Sequence, residues 1–407
     1  MGEFFETLSY EEFLTLLDGL SFPPLETEDR PLQEAVDRIL AGSVTGEEDL
    51  PGFPRSTMDG FALRCQESAG ASPSSPVLLK VTGEVLMGKV PEGKVGPGEA
   101  WRIPTGGMVP EGADGVAMVE WAEENPPWVE LFHAVAPGAN ILAGNADYSR
   151  GQSLFEPGQR LEPRQVQLLK ALGIGRVRVK RPPRIALLST GDELVPPESP
   201  RVWGEIRDTN SYLIGESLSR RGYPSSFLGI LADRPELLES TLRERQGEYD
   251  LFLVSGGSSV GAKDKTVEVF RSFGEVLVHG LRLSPGKPLI LAKGERNLFL
   301  GLPGHPLSSF VSILTVLLPL LRRWEGEREF RPVPQGYLRV ERNLPSKQGR
   351  ETFVPVRKVW RDSLWRALPL RGESGLISLI ERSTGVIRIP SSLEGLYEGD
   401  WGEYYEF

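Results

Sequence analysis

Between Ile185 and Trp324 the chain alternates short unbroken apolar runs with segments in which apolar positions recur every three or four residues. The runs IALLST, FLGIL, DLFLVSGG, EVLVHG, PLILAK and NLFLGL have the length and continuity of strands buried on both faces. The segments near 210–221, 235–246 and 264–273, and the closing one over 307–323, have helical spacing. This alternation predicts an α/β domain with a central, mostly parallel, doubly wound sheet and helices on both faces. In such sheets ligands lie beyond the carboxyl ends of the strands. The glycine-rich turns of this segment fall there.

The flanks have another texture. Leu14 and Leu17, then Leu32, Val36, Ile39 and Leu40, predict two short helices over 8–20 and 31–42. From 46 to 140, short β-type runs alternate with Gly/Pro turns, which predicts a β-rich inserted domain. Residues 160–173 read as a helix closed by Gly173, followed by a strand and linker, RVRVKRPPR. After Arg331, short strands and turns return and predict a small C-terminal β-barrel or sandwich.

At 407 residues with 39% apolar and 25% charged residues, the chain is long enough for several cores. Its net charge of −10 argues against nucleic-acid or membrane-surface binding, so an anionic substrate needs a local basic pocket. A single cysteine, Cys65, precludes an intramolecular disulfide and fits a reducing cytoplasmic compartment. His133, His279 and His305 are scattered, so any metal is expected to be a hard, oxygen-bound cation. The start, MGEFFETLSYEEF, is acidic and lacks a signal-peptide pattern. The longest apolar run, at 310–321, is short of the roughly 20 residues that span a bilayer and reads as a buried helix.

Three glycine turns carry the candidate chemistry. In LFLVSGGSSVGAKDKT, Ser255, Gly256, Gly257 and Ser258 follow a strand and can crowd N–H and hydroxyl groups around an anion. Asp264 beside that cradle can hold a divalent cation or simply pair with Lys263 or Lys265. LSPGKP aims Lys287 over the sheet edge, or else forms a solvated turn. In GLPGHP, Pro303, Gly304 and His305 precede Pro306, which suits the first turn of a helix whose free N–H groups can hold an anion. STGDEL, with Asp192 and Glu193, reads equally as a ligand contact or as a helix N-cap. Upstream, the stiff lead-in to Met58-Asp59-Gly60 reads as an interdomain loop, and Thr105 sits beside Gly106-Gly107 in a comparable turn.

SxMDGFA at 56–62, PTGGMVPEGAD at 104–114, STGDEL at 189–194, SGGSSVGAKD at 255–264, PGKP at 285–288 and GLPGHP at 301–306 resemble the MoeA family of molybdopterin molybdenumtransferases, relatives of the gephyrin E domain. The resemblance implies a cytoplasmic homodimer of four-domain subunits. Their domains would be 1–26 with 178–327 (α/β), 27–45 with 141–177 (a helical linker and dimerisation domain), 46–140 (β-rich) and 328–407 (β-barrel). It implies insertion of molybdate into adenylylated molybdopterin with Mg²⁺-dependent release of AMP. A molybdopterin adenylyltransferase and acceptor molybdoenzymes would be its partners. A related adenylyltransferase uses the α/β module alone, which the additional β modules here argue against, and a gephyrin-like scaffold is the other alternative. Carried over by position, Glu193, Asp233 and Asp264 are the acidic groups of the α/β site, with Glu193 and Asp264 as Mg²⁺ ligands. Asp59, Thr105 and Asp147 face the partner subunit's site, and Lys287, Arg350 and Ser378 complete the binding set. His305 stands where the family usually has Asn, Ser258 where it has a hydrophobic residue, Lys265 where it has an aromatic and Ser284 where it has a basic residue. Arg282 or Lys263 is then the expected substitute cation.

Overall fold

A computed structural model describes residues 7–256 and 262–407, and only the backbone of Ala262, Lys263 and Asp264. The central sheet has six strands in the order Ser225–Leu231, Ile185–Thr190, Leu251–Gly256, Leu298–Leu302, Ile290–Gly294 and Gly274–His279. The first four run parallel, and the last two are added antiparallel. Side chains alternate across each central strand. Ile185 and Leu187 face one core with Leu251, Leu253, Leu298 and Leu300, whereas Ala186 and Leu188 face the other with Phe252, Val254 and Phe299. Helices cover both faces: Asn210–Ser219 and Pro306–Trp324 on the first, Pro235–Arg245 and Ala262–Phe273 on the second. Continuous apolar strands thus follow from two-sided burial.

Helix Tyr10–Gly19 joins the first face through Tyr10, Phe13, Leu14 and Leu17, and a capping box between Ser9 and Glu12 starts it. The Pro306–Trp324 helix widens into a π turn at Ile313–Leu317. Pro319 has no N–H for the Thr315 carbonyl one turn back, and the Tyr10 hydroxyl donates to that carbonyl instead at 3.1 Å. This helix is longer than the apolar run within it, and by length and composition it matches a membrane span. Yet 83% of its most apolar window is buried inside the protein.

The expected helix over 31–42 does not form. Thr27–Pro31 is a strand paired with Arg176–Lys180, followed by a single 3₁₀ turn at Leu32–Glu34. Asp37 adopts φ 63°, which breaks the helical path, and Ile39 and Leu40 bridge to Arg160 and Val179. The helical spacing reflects burial: Leu32, Val36 and Leu40 pack in a small core shared with the Pro163–Ala171 helix, and Ile39 is buried as well. That helix ends as its sequence predicts, with Gly173 at φ 72° and the Gly173 and Ile174 N–H groups closing onto Lys170 and Leu169.

Residues 60–131 form a six-stranded sheet around Phe61, Leu63, Val129 and Leu131. Gly336–Val340, Glu351–Arg361, Leu364–Pro369, Gly385–Ile389 and Trp401–Glu406 close into a five-stranded barrel, sealed by pairing of Glu351–Arg361 with Gly385–Ile389. Leu283–Ser284 pairs in parallel with Glu351–Thr352, stitching the barrel to the α/β domain.

A polar junction joins the α/β domain to the small module before it. Arg160 donates to Glu327 at 2.8 Å and lies 3.7 Å from buried Glu325, which also accepts the Tyr223 hydroxyl. Burial pushes the Glu325 carboxyl up to about 7, although Tyr223 and Arg160 oppose the rise. A folded-state value above the unfolded one makes its contribution fully present below about pH 4.5 and lost as pH rises through about 7. Glu325→Gln is expected to flatten that decline, removing a loss on the order of 3 kcal/mol. Denaturant unfolding of both proteins between pH 5 and 8 checks this, and parallel stability profiles would refute it.

Candidate active site

Two neighbouring strands end side by side at Thr190 and Gly256. Gly256 has φ +117°, and a Cβ there would lie 2.1 Å from the Thr190 carbonyl oxygen, so only glycine lets the strand ends approach so closely. Asn210, buried at the start of its helix, donates from Nδ2 to the Ser255 hydroxyl at 3.2 Å and to the Gly304 carbonyl at 2.8 Å. One amide therefore clasps the first and third glycine turns together. Its Oδ1 and the Thr190 hydroxyl are buried without a partner, leaving hydrogen-bonding capacity at the strand ends. Ser189 donates to Asp208, which also accepts the Ser211 N–H. Sequence reasoning passed over Asp208 and Asn210, because Asp-Thr-Asn before a helix reads as ordinary capping.

The STGDEL turn starts no helix. Leu194–Val195 instead forms a short ladder with Ile206–Arg207, so Asp192 and Glu193 stand at the strand end as carboxylates and not as caps. Asp192 accepts the Asp233 N–H at 3.1 Å. Burial, followed by the charges of Asp192 and Glu193, raises the Asp233 carboxyl above its usual range, against the pull of Lys265. Asp233 and Lys265 line a small pocket with Thr190 and Thr266. Among the described residues no three acidic, histidine or cysteine side chains are close enough to hold a metal unaided. Gly257, Ser258 and the side chains of Lys263 and Asp264 lie outside the described residues.

A second, larger cavity of about 750 Å³ lies between the α/β domain and the barrel. Lys287, Arg342, Arg350 and Arg371 line it together with His305, and among the described residues no carboxylate does. None of the four cations forms an ion pair with a described residue, and the Arg350 Nε is buried without a partner. Four cations that line one cavity with no ion-pair partner among the described residues, in a chain of net charge −10, make a site suited to an anion. The Leu283–Ser284 ladder sets the Lys287 turn beside the strand that follows Arg350. Pro303 lines the cavity, and His305 Nδ1 shares a 2.8 Å hydrogen bond with the Ser374 hydroxyl.

Three expectations need correction here. The Leu307 N–H at the helix start already donates to the Ser374 carbonyl at 3.1 Å, so this group is not free for an anion. Ser378 sits exposed on the Ile377–Arg382 helix and does not line the cavity; Ser374, four residues earlier, is the serine that reaches it. Arg282 pairs with Glu12 at 3.0 Å and does not replace the missing cation at Ser284. Arg342 and Arg371 line the cavity, and neither carries a local motif that sequence reasoning could seize.

The second-domain blocks meet one another away from this cavity. Asp59 Oδ1 accepts the Thr105 N–H at 2.7 Å and its hydroxyl at 3.0 Å, bonds that hold the exposed Asp59 carboxyl below its usual range. The Ser56 N–H donates to the Gly107 carbonyl and the Ser56 carbonyl accepts the Gly106 N–H, while Gly52 donates to the Gly144 carbonyl. Asp147 follows, its N–H on the Leu50 carbonyl. The three blocks thus share one surface patch, and no described contact joins Asp59, Thr105 or Asp147 to the cavity. Cys65 offers no competing chemistry, since burial and Asp114 push its thiol up to about 12.

Three family models cover almost the whole chain: the MoeA N-terminal region (domain I and II) over 8–173, the probable molybdopterin binding domain over 186–323, and the MoeA C-terminal region (domain IV) over 337–407. The molybdopterin molybdenumtransferase of Haemophilus influenzae is 33% identical over 83% of this chain and 82% of its own length. That of Synechococcus elongatus is 32% identical over 96% and 98%. A crystal structure of a molybdopterin biosynthesis MoeA protein from Pyrococcus horikoshii superposes with a TM-score of 0.84 at 29% identity, over 98% of this chain and all of that one. With the six sequence blocks, the strand-end turns and the closed C-terminal barrel in agreement, the chain belongs to the MoeA family.

Proposed function

We propose that the protein is a molybdopterin molybdenumtransferase, which inserts molybdate into adenylylated molybdopterin with release of AMP. The observation that carries this reading is the cavity in which, among the described residues, four cations without ion-pair partners and no carboxylate lie next to the clasped glycine turns. Molybdate, a compact oxyanion, suits the Lys287, Arg342, Arg350 and Arg371 side of the site. The pyrophosphate of the pterin substrate suits the strand ends at Ser255, Gly256 and Gly304, where the Thr190 hydroxyl keeps a donor with no described partner. No side-chain nucleophile is required, because positioning and charge neutralisation supply the acceleration.

Mg²⁺ fits the strand-end donors. They are hard oxygens, and the Asp233 carboxyl, raised by burial and then by the charges of Asp192 and Glu193, would be favoured in its charged form by a cation. Bound there, Mg²⁺ would neutralise phosphate charge, and Glu193 and Asp264 would hold it. The exposed Asp59–Thr105 patch and nearby Asp147 support a homodimer in which they face the partner subunit's site. A cytoplasmic setting, with an adenylyltransferase upstream and acceptor molybdoenzymes downstream, completes the reading.

Purified protein incubated with adenylylated molybdopterin, molybdate and Mg²⁺ is expected to release AMP in proportion to molybdate consumed. Asp264→Ala should abolish the Mg²⁺-dependent part. Native protein that releases no AMP overturns the assignment, and full turnover by Asp264→Ala overturns the metal role alone.

A further inference from the structure

A separate cavity of about 160 Å³ opens where the Pro306–Trp324 helix meets the segment leading into the barrel and the barrel's last strand. It shares no lining residue with the four-cation cavity. Leu314, Leu318, Pro319, Val333 and Tyr405 make its walls apolar. Arg221 and Arg322 both reach it, and they repel: burial and the neighbouring charges of Arg322 and Arg220 weaken the hold of Arg221 on its proton. Among the described residues Arg221 has only the Ser217 carbonyl as partner, at 2.9 Å, and Arg322 lies 3.9 Å from Glu327. Glu406 also lines the cavity, but its carboxylate pairs with neither arginine; Gln335 Oε1 accepts its N–H, and the Gln335 amide donates to Val333.

Two guanidinium groups over an apolar wall ask for a ligand with two negative charges at one end and an apolar body at the other. We propose that this cavity binds a small organic monophosphate, its phosphate between Arg221 and Arg322 and its organic part against Leu314, Leu318 and Val333. The site touches both the α/β core helix and the barrel, so occupancy couples the two bodies that wall the larger cavity.

Phenyl phosphate is the probe, titrated by calorimetry into a Lys287→Ala/Arg350→Ala protein so that the larger cavity loses two of its four cations. One saturable site is expected, with inorganic phosphate about tenfold weaker for want of the apolar contact. Adding Arg322→Met to that background should weaken phenyl phosphate by at least about tenfold. Arg322 is partly exposed with only a distant carboxylate partner, so its loss spares the fold, which circular dichroism verifies. Absence of binding in the double variant, or an unchanged affinity after Arg322→Met, overturns the proposal.

Discussion

Arg350→Ala is expected to lower kcat/KM for molybdate by about 10²–10³-fold while leaving stability within about 1 kcal/mol of the native protein. Among the described residues Arg350 makes no ion pair and its buried Nε has no partner, so its removal strands no described carboxylate and breaks no described bond within the fold. What is lost is a forked, desolvated donor aimed at the oxyanion. Arg350→Lys should recover little of the rate, because an ammonium retains charge without the planar pair of donors. AMP release measured against molybdate concentration separates the cases. Activity of Arg350→Ala within threefold of native would remove Arg350 from the oxyanion site.

Gly256→Ala should be nearly as damaging to activity and far more so to the fold. The added methyl meets the Thr190 carbonyl oxygen at 2.1 Å in a backbone conformation of φ +117°, and neither atom belongs to a flexible side chain. Steric overlap and positive-φ strain together cost about 3 kcal/mol. Relief requires the two central strands to part, which also pulls Ser255 away from Asn210 and loosens the clasp on Gly304. A loss of more than about 10²-fold in AMP release is expected with a lower denaturation midpoint. Gly215→Ala is the control: it lies inside a helix with only the Ser225 hydroxyl at 3.6 Å, and it should be neutral or stabilising by up to about 1 kcal/mol. Equal behaviour of the two variants would show that the close approach does not matter.

The elements legible in the sequence were those whose pattern has one physical cause. Strands such as IALLST and LFLVSG read correctly because burial on both faces leaves no room for polar positions. Gly173 and Pro306 read correctly because backbone dihedrals restrict those positions locally. The segment 31–42 misled because burial of Leu32, Ile39 and Leu40 arises from tertiary packing around a 3₁₀ turn, which happens to reproduce helical spacing. At the site, Lys287, Pro303 and His305 were visible because Gly and Pro punctuate them. Arg342, Arg371 and Ser374 were invisible because they meet the others only through closure of the barrel onto the α/β domain. Asn210 belongs with them, since its two partners lie 45 and 94 residues away.

The two-residue ladder between Leu283–Ser284 and Glu351–Thr352 has a consequence for how the enzyme assembles. Arg342, Arg350 and Arg371 all come from the barrel, leaving Lys287 as the sole cation contributed from the other side. Oxyanion affinity is therefore a property of the seated barrel and not of either body by itself. By linkage, the oxyanion in turn holds the barrel in its seat, like a keystone whose weight comes from charge.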